Sequence, residues 1–212
     1  MTWQPRLPSE IEAESFRRIE AQVGPHHLPP EVWSVVRRMI HTSGDPEYLA
    51  AARLHPRAIA AGVEALRRGS PIATDTRMLL AGISTGRLGQ LGVTAFCLMD
   101  APEVAAEAAR RGTTRAAVAM ERSLPKLAGG IVAIGNAPTA LLRLLELLAA
   151  GAPPPALIVG VPVGFVNAAE SKDALARQDC PYITALGPKG GSALAASIVN
   201  ALAIMALSEV PS

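Results

Sequence analysis

The stretch from Gly129 to Asp173 constrains the fold most, because its pattern predicts two consecutive strand–turn–helix units. Residues 131–134 are a short apolar, β-branched run that stops at a Gly-Asn-Ala-Pro turn, and leucines at helical spacing follow. Residues 156–161 are a second apolar run, which ends at Pro162. Strands that are apolar throughout and alternate with helices are typical of a parallel sheet covered on both faces.

The rest of the chain fits the same class of fold. Three further apolar runs, each followed by a helical pattern, predict strands at 70–74, 93–99 and 181–186. Residues 8–68 carry only helical patterns, including one at 45–53. We therefore expect one domain over residues 1–212, a three-layer α/β/α fold with a mainly parallel sheet of about five strands and an N-terminal helical arm.

Several local features are expected from the same patterns. Ser9 and Glu12 predict a capping box for a first helix that ends at Glu20, and Asn136 is a candidate cap for the helix after it. The glycine-rich residues 86–92 predict a flexible loop. Residues 193–207 predict a buried C-terminal helix that is too short to span a bilayer.

Composition narrows the class of partner. The formal net charge of +2 and an aromatic content of 3% argue against a nucleic-acid partner. Cys97 and Cys180 lack metal-ligand spacing, which favours two buried thiols in a reducing compartment over a disulfide. The polar N-terminus does not resemble a signal peptide. We therefore expect a cytoplasmic protein with no membrane partner.

His41 is the first candidate for chemistry, because it is placed at the end of a predicted helix, just before a glycine turn. The C-terminal end of the helix dipole favours a protonated imidazole, and Asp45 could orient the ring. A purely structural role is the alternative. His26, His27 and His55 lie in surface-like contexts with no such signal.

Residues 187–192 are a second candidate site. Backbone amides of Gly190 and Gly191 before a helix could bind an anion, with Lys189 adding charge and Ser192 beginning the helix. The spacing matches neither a P-loop nor GxGxxG, so a nucleotide site is weakly supported. Glycines required only for a tight turn are an equally good interpretation.

Arg115 follows two threonines at a predicted helix start, and its guanidinium would suit a carboxylate. A surface arginine beside a capping threonine is the alternative. Glu170 and Asp173 fit the first turn of a helix without a catalytic role. No Ser/His/Asp order and no metal-ligand cluster is visible, so we expect no metal site. Dispersed cations and one titratable imidazole together suit a large polyanionic ligand and general acid chemistry.

Six motifs in order along the chain resemble the precorrin-8X methylmutase family, also called precorrin isomerase. They are RMIH at 38–41, PIATD at 71–75, TR at 114–115, GNAPTALL at 135–142, GVPVGFVNAAESKDAL at 160–175 and KGGSALAA at 189–196. The resemblance extends from Ser15-Phe16 to the final helix. Cobalt-precorrin-8 methylmutases would carry the same motifs.

The resemblance implies an isomerase of cobalamin biosynthesis, which moves a methyl group from C11 to C12 of the corrin ring without a cofactor. The family's catalytic histidine falls on His41, as general acid. The positions expected to bind the tetrapyrrole (corrinoid) substrate are Ser15, Arg17, Arg115, Lys189, Gly190, Gly191 and Ser192. The resemblance also implies a homodimer with active sites near the subunit interface, and we expect hand-over of the product to the next enzyme of the pathway.

Two other functions remain open from the sequence. A corrinoid carrier would bind the product without converting the precursor. A nucleotide-binding α/β protein would use residues 189–192 instead.

Overall fold

The computed structural model describes residues 7–127 and 129–208, and a six-stranded sheet lies at the centre of this part of the chain. In chain order its strands are β1 (Ala52–Leu54), β2 (Ile72–Thr74), β3 (Ala95–Phe96), β4 (Ile131–Ile134), β5 (Leu157–Gly160) and β6 (Tyr182–Ala185). Their spatial order is β1-β6-β5-β4-β2-β3. β1 runs antiparallel to β6, and the other neighbouring pairs are parallel. The expected mainly parallel α/β fold is confirmed.

Helices cover both faces of the sheet. In chain order they are α1 (Pro8–Val23), α2 (Pro30–Ser43), α3 (Tyr48–Ala51), α4 (Ala58–Arg67), α5 (Arg77–Gly82), α6 (Thr85–Gln90), α7 (Pro102–Arg111), α8 (Arg115–Ser123), α9 (Pro138–Ala149), α10 (Ala168–Ala176) and α11 (Ser192–Ser208), with a 3-10 turn at Leu124–Lys126. Prolines begin α2, α7 and α9, where the first-turn N–H has no partner in the helix. Left-handed glycines at Gly44 and Gly112 end α2 and α7.

The strands bury both of their faces. In β4, Ile131 and Ala133 belong to a core with α2, α4 and α11, whereas Val132 and Ile134 pack on the α9 side. Helix α11 lies among the helices on one face of the sheet. It contacts α2, α4 and α5, so it is buried around most of its surface. The expected buried C-terminal helix is confirmed. Each leucine or isoleucine buried in this way contributes roughly 1.5–3 kcal/mol.

The topology marks one end of the sheet as the place for a ligand. β2 has β3 on one side and β4 on the other, so the connections that leave these strands diverge. α5 follows β2 and packs against α11, while α9 follows β4 on the opposite face. Open α/β sheets bind ligands in the crevice that such a reversal opens at the carboxyl ends of the strands.

Two expected elements are wrong. Only residues 48–51 of the helix expected at 45–53 are helical, because residues 52–54 pair with β6 as an antiparallel edge strand. The ladder's hydrogen bonds outweigh local helix propensity there. The loop expected at 86–92 is mostly helix α6, whose first turn is capped by the Ser84 hydroxyl.

The capping box expected from Ser9 and Glu12 is also wrong. Helix α1 has Leu7 as its N-cap, and the Glu10 carboxylate accepts the Leu7 N–H at 3.0 Å. The helix continues to Val23 rather than Glu20. Glu12 is therefore not part of the cap, and its carboxylate pairs with Arg38 of α2 instead. Within residues 7–127 and 129–208, no helix is both long and apolar enough to cross a membrane.

Candidate active site

A buried carboxylate occupies the crevice between β2 and β4. Asp75 directly follows β2 and is only 3% exposed. Its two oxygens accept backbone N–H groups of the turn after β4, from Gly135 at 3.1 Å, Asn136 at 2.7 Å and Ala137 at 2.8 Å. Burial raises the pKa of Asp75, although the three amide bonds oppose that rise. The expected Asn136 cap is wrong: Ala137 is the N-cap residue, and Asp75 binds these amides instead.

The turns after β2, β4 and β6 meet at this point. The hydroxyls of Thr76 and Ser192 are hydrogen-bonded at 2.9 Å. A Cβ atom at Gly135 would lie 2.6 Å from the Ser192 Cα, so only glycine fits there. Ser192 is consequently buried, with 7% of its surface exposed.

One glycine of the β6–α11 turn, residues 187–191, is required by packing on the end of β5. A Cβ atom at Gly190 would lie 2.2 Å from the Val161 carbonyl oxygen. The same oxygen accepts the Gly191 N–H at 3.0 Å. The Gly191 amide that we expected to bind an anion is thus already used within the protein.

Lys189 links this turn to the segment after α2. Its Nζ atom lies 2.5 Å from a carboxylate oxygen of Asp45 and 2.7 Å from one of Glu47. Both hydrogen bonds raise the pKa of Lys189, and the Lys189 ammonium is the main cause of the lowered pKa of Asp45. An ammonium has three donors, so two are engaged and one is left for a ligand.

His41 lies in the last turn of α2, which ends at Gly44, and its side chain is exposed. The imidazole contacts the ring of Phe16 from α1 edge to face, with 5.5 Å between ring centroids and an interplanar angle of 76°. Because Asp45 binds Lys189, this end of α2 is held at the carboxyl edge of the sheet. The predicted position of His41 at a helix end, just before a glycine turn, is confirmed.

A cluster of charged and aromatic side chains from α1 and α2 surrounds His41. The guanidinium of Arg37 lies 4.1 Å from the Phe16 ring centroid, and that of Arg38 lies 5.2 Å from it. Arg38 forms a two-pronged ion pair with Glu12, at 2.9 and 3.3 Å. This hydrogen bonding is the main cause of the lowered pKa of Glu12, and the charge of nearby His41 adds to it.

Sequence reasoning did not assign Glu12, Phe16 or Arg38 to the site. The available signal was spacing, because Glu12 and Phe16 are four residues apart on one face of α1. Ser15 lies between them in the sequence and is a half-buried residue, whose hydroxyl donates to the Ile11 carbonyl at 2.8 Å. Arg17 is exposed and forms an ion pair with Glu14 one turn back.

Arg115 is the exposed first residue of α8. The hydroxyl of Thr114, which caps α8, donates to that of Thr139 in the first turn of α9 at 2.9 Å. The start of α8 is therefore joined to the helix start that follows β4, and Arg115 lies near the carboxyl edge of the sheet. Among residues 7–127 and 129–208, no group of three or more His, Cys, Asp and Glu side chains could hold a metal ion.

Residues 10–205 match the family model described as precorrin-8X methylmutase. The chain belongs to the precorrin-8X methylmutase family. It is 45% identical to a protein named precorrin-8X methylmutase from Pseudomonas aeruginosa, covering 91% of this chain and 93% of that one. It is 42% identical to a cobalt-precorrin-8 methylmutase from Priestia megaterium, covering 96% of this chain and 90% of that one.

The fold agrees with a solved member of the precorrin-8X methylmutase family. A crystal structure of precorrin-8x methyl mutase from Thermus thermophilus superposes with a TM-score of 0.85 at 42% identity, covering 93% of this chain and 98% of that chain. The family and the enzyme class expected from the sequence, an isomerase, are confirmed.

Proposed function

We propose that this methylmutase moves the methyl group of precorrin-8X, or of cobalt-precorrin-8, from C11 to C12 of the ring. The product would be hydrogenobyrinate, or cobyrinate when cobalt is present in the substrate. Relatives named precorrin-8X methylmutase and relatives named cobalt-precorrin-8 methylmutase both match nearly the whole chain, which supports the reaction class for either substrate. The reaction rearranges one molecule and neither adds nor removes atoms, so it calls for no redox or group-transfer cofactor.

His41 is the proposed general acid, which protonates a ring nitrogen and so favours migration of the methyl group. The observation that carries this proposal is an exposed imidazole held at the carboxyl edge of the sheet by Phe16 and by the Asp45–Lys189 ion pair. A well-placed proton donor contributes roughly 10²–10⁴-fold to a rate. Preorganised binding of the rearranging ring would have to supply the remainder.

The acetate and propionate arms of the substrate would bind cations and polar groups around this edge. Arg17 and Arg115 have exposed guanidinium groups on α1 and α8. Lys189 keeps one ammonium donor after binding Asp45 and Glu47. The remaining proposed contacts come from Ser15 beside Phe16 and from the surface formed by Gly190, Gly191 and Ser192.

We also propose that the enzyme is a homodimer with this edge near the subunit interface. Six large apolar side chains in the described residues are exposed: two at the start of α1, one in α5 directly after β2, and three in the segment after β5. They are Leu7, Ile11, Met78, Val163, Phe165 and Val166. Phe165 is 97% exposed, which is costly for a free surface and ordinary for an interface.

Light scattering of the F165S/V166S double variant should show a lower dimer fraction than wild type at equal concentration; an unchanged mass would contradict the proposal.

We place the reaction in the cytoplasm, where the free thiols of Cys97 and Cys180 would remain reduced. Hand-over of the product to the next enzyme of the pathway is proposed from the family alone.

The experiment that tests the function is conversion of precorrin-8X, and separately of cobalt-precorrin-8, by purified protein, followed by absorbance. The wild type should convert at least one of the two. H41A should lose turnover by roughly 10²-fold or more while keeping its circular dichroism spectrum and its affinity for the product. H27A is the matched control, because His27 is exposed and outside the site.

Each alternative gives a different result. Wild-type protein that binds the product tightly and never converts the precursor would be the carrier rather than the isomerase. Conversion by H41A at the wild-type rate would leave the reaction intact and remove His41 as its acid.

A further inference from the structure

Lys172 is a fully buried lysine that the proposed reaction does not use. It is the central residue of α10 and has 0% of its surface exposed. An ammonium group removed from water needs hydrogen-bond partners, since its burial is otherwise very unfavourable. Its Nζ atom donates to the backbone carbonyl oxygen of Lys189 at 2.6 Å.

That carbonyl is one of three neighbouring points at which the β6–α11 turn is attached to α10 or to the segment that joins β5 to α10. The Pro188 carbonyl accepts the Gly164 N–H at 3.1 Å, and Gly191 donates to Val161 at 3.0 Å. Of these three hydrogen bonds, the one from Lys172 is donated by a side chain and the other two by backbone N–H groups. It holds Lys189, which lies between Pro188 and Gly191 in the turn. Lys172 thus limits the freedom of the Lys189 backbone.

The orientation of Lys189 matters because its side chain connects two parts of the site. Its ammonium binds Asp45 and Glu47, which follow the end of α2 that carries His41. A continuous set of contacts therefore runs from Lys172 through Lys189 to the segment beside His41.

We propose that Lys172 is a positioning residue, which fixes the Lys189 backbone so that the Lys189 side chain holds the His41 end of α2 against the sheet. The catalytic consequence rests on the function proposed above. The structural part, that Lys172 orders residues 187–191, stands without it.

Simple stabilisation of the fold explains Lys172 less well. Within the described residues the ammonium donates to one neutral oxygen, the Lys189 carbonyl, and desolvation lowers the pKa of Lys172 to about 8. A methionine would fill the same space with an unbranched apolar chain and no charge to bury. The hydrogen bond to Lys189 is what the ammonium provides and a methionine cannot.

The test compares K172M with K126M. Lys126 is exposed on the 3-10 turn, so the control carries the same substitution without burial. Hydrogen exchange of the peptide covering residues 187–191 should be roughly fivefold faster or more in K172M and unchanged in K126M. The K172M melting temperature should be equal to or above that of wild type, because a buried charge has been removed.

Activity provides the second measurement. In K172M the KM for the corrinoid should rise and kcat should fall, by about tenfold together in kcat/KM, the equivalent of roughly one charged hydrogen bond. K172R keeps a donor on a long apolar stem and should restore part of the protection in residues 187–191.

The proposal is overturned if K172M fails to fold, or if exchange in residues 187–191 matches that of wild type. A wild-type enzyme without corrinoid turnover would instead refute the proposed function, and the exchange result would still decide the role of Lys172.

Discussion

The ring of Phe16 meets the imidazole of His41 edge to face, with 5.5 Å between their centroids. The two residues belong to different helices, α1 and α2, and the ion pair of Glu12 with Arg38 joins the same two helices one turn away. The aromatic contact therefore fixes the ring orientation of the proposed acid, while the ion pair fixes the distance between the helices.

Replacing Phe16 by leucine should reduce turnover without unfolding the protein. An edge-to-face pair contributes about 0.5–1.5 kcal/mol, so a His41 ring that is no longer oriented should lower kcat about 2- to 12-fold. F96L is the matched control, since Phe96 lies half-buried on β3 away from His41. Steady-state kinetics of both variants measure the effect, and equal kcat values for F16L and wild type would contradict it.

Much of the fold could be predicted because local pattern and tertiary structure agree. The continuous apolar runs of β4 and β5 are typical of buried strands, and the spacing of the leucines in α9 is typical of a helix. β1 could not be found this way, since its three residues become a strand only by pairing with β6. Helix α6 was hidden because it contains two glycines, Gly86 and Gly89, and Gly92 follows it, so the residues after its cap at Ser84 gave a loop pattern.

Site residues could be predicted where the residue type itself has a distinct chemistry. They could not be predicted where tertiary contacts decide the role of a side chain. His41 stood out as a histidine at a helix end. Lys189 stood out as a cation, but its two carboxylate partners come from a segment far away in the chain. Lys172 gave no signal, because sequence alone places a lysine in a helix first turn on the surface.

Asp75 should be essential for stability, because one carboxylate binds three amides of the β4–α9 turn. In D75N the asparagine NH2 group would face these N–H donors, leaving at least one unpaired. We expect a loss of about 2–4 kcal/mol in the free energy of unfolding, measured with urea. D100N is the control, since Asp100 is an exposed partner of Arg77, and it should change stability little.

Glu121 should stabilise the protein in a pH-dependent way. Its carboxylate binds Arg111 of α7 and Arg143 of α9, and hydrogen bonding by Arg111 is the main cause of a pKa lowered to about 2. Because the folded pKa is below the unfolded value, this stabilisation is present at neutral pH and is lost as the pH falls from about 4.5 to 2.

The E121Q variant isolates this contribution. It should be less stable than wild type by on the order of 1–3 kcal/mol at pH 7, and the difference should shrink on acidification. E146Q, which removes an exposed partner of Arg143, is the matched control and should show a much smaller loss. A difference between E121Q and wild type that stayed constant down to pH 3 would refute the assignment.

Lys172 should make stability increase with pH on the alkaline side. Desolvation lowers its pKa to about 8, below the value of 10.5 expected for the unfolded chain. Between these values the unfolded chain retains a proton that the folded protein has released, so raising the pH favours the folded state. From pH 7 to pH 10 wild type should gain on the order of 1–3 kcal/mol in unfolding free energy relative to K172M. Urea unfolding of both proteins at the two pH values measures this, with K126M following wild type. Parallel pH dependence of wild type and K172M would mean that the folded and unfolded states hold the Lys172 proton equally well.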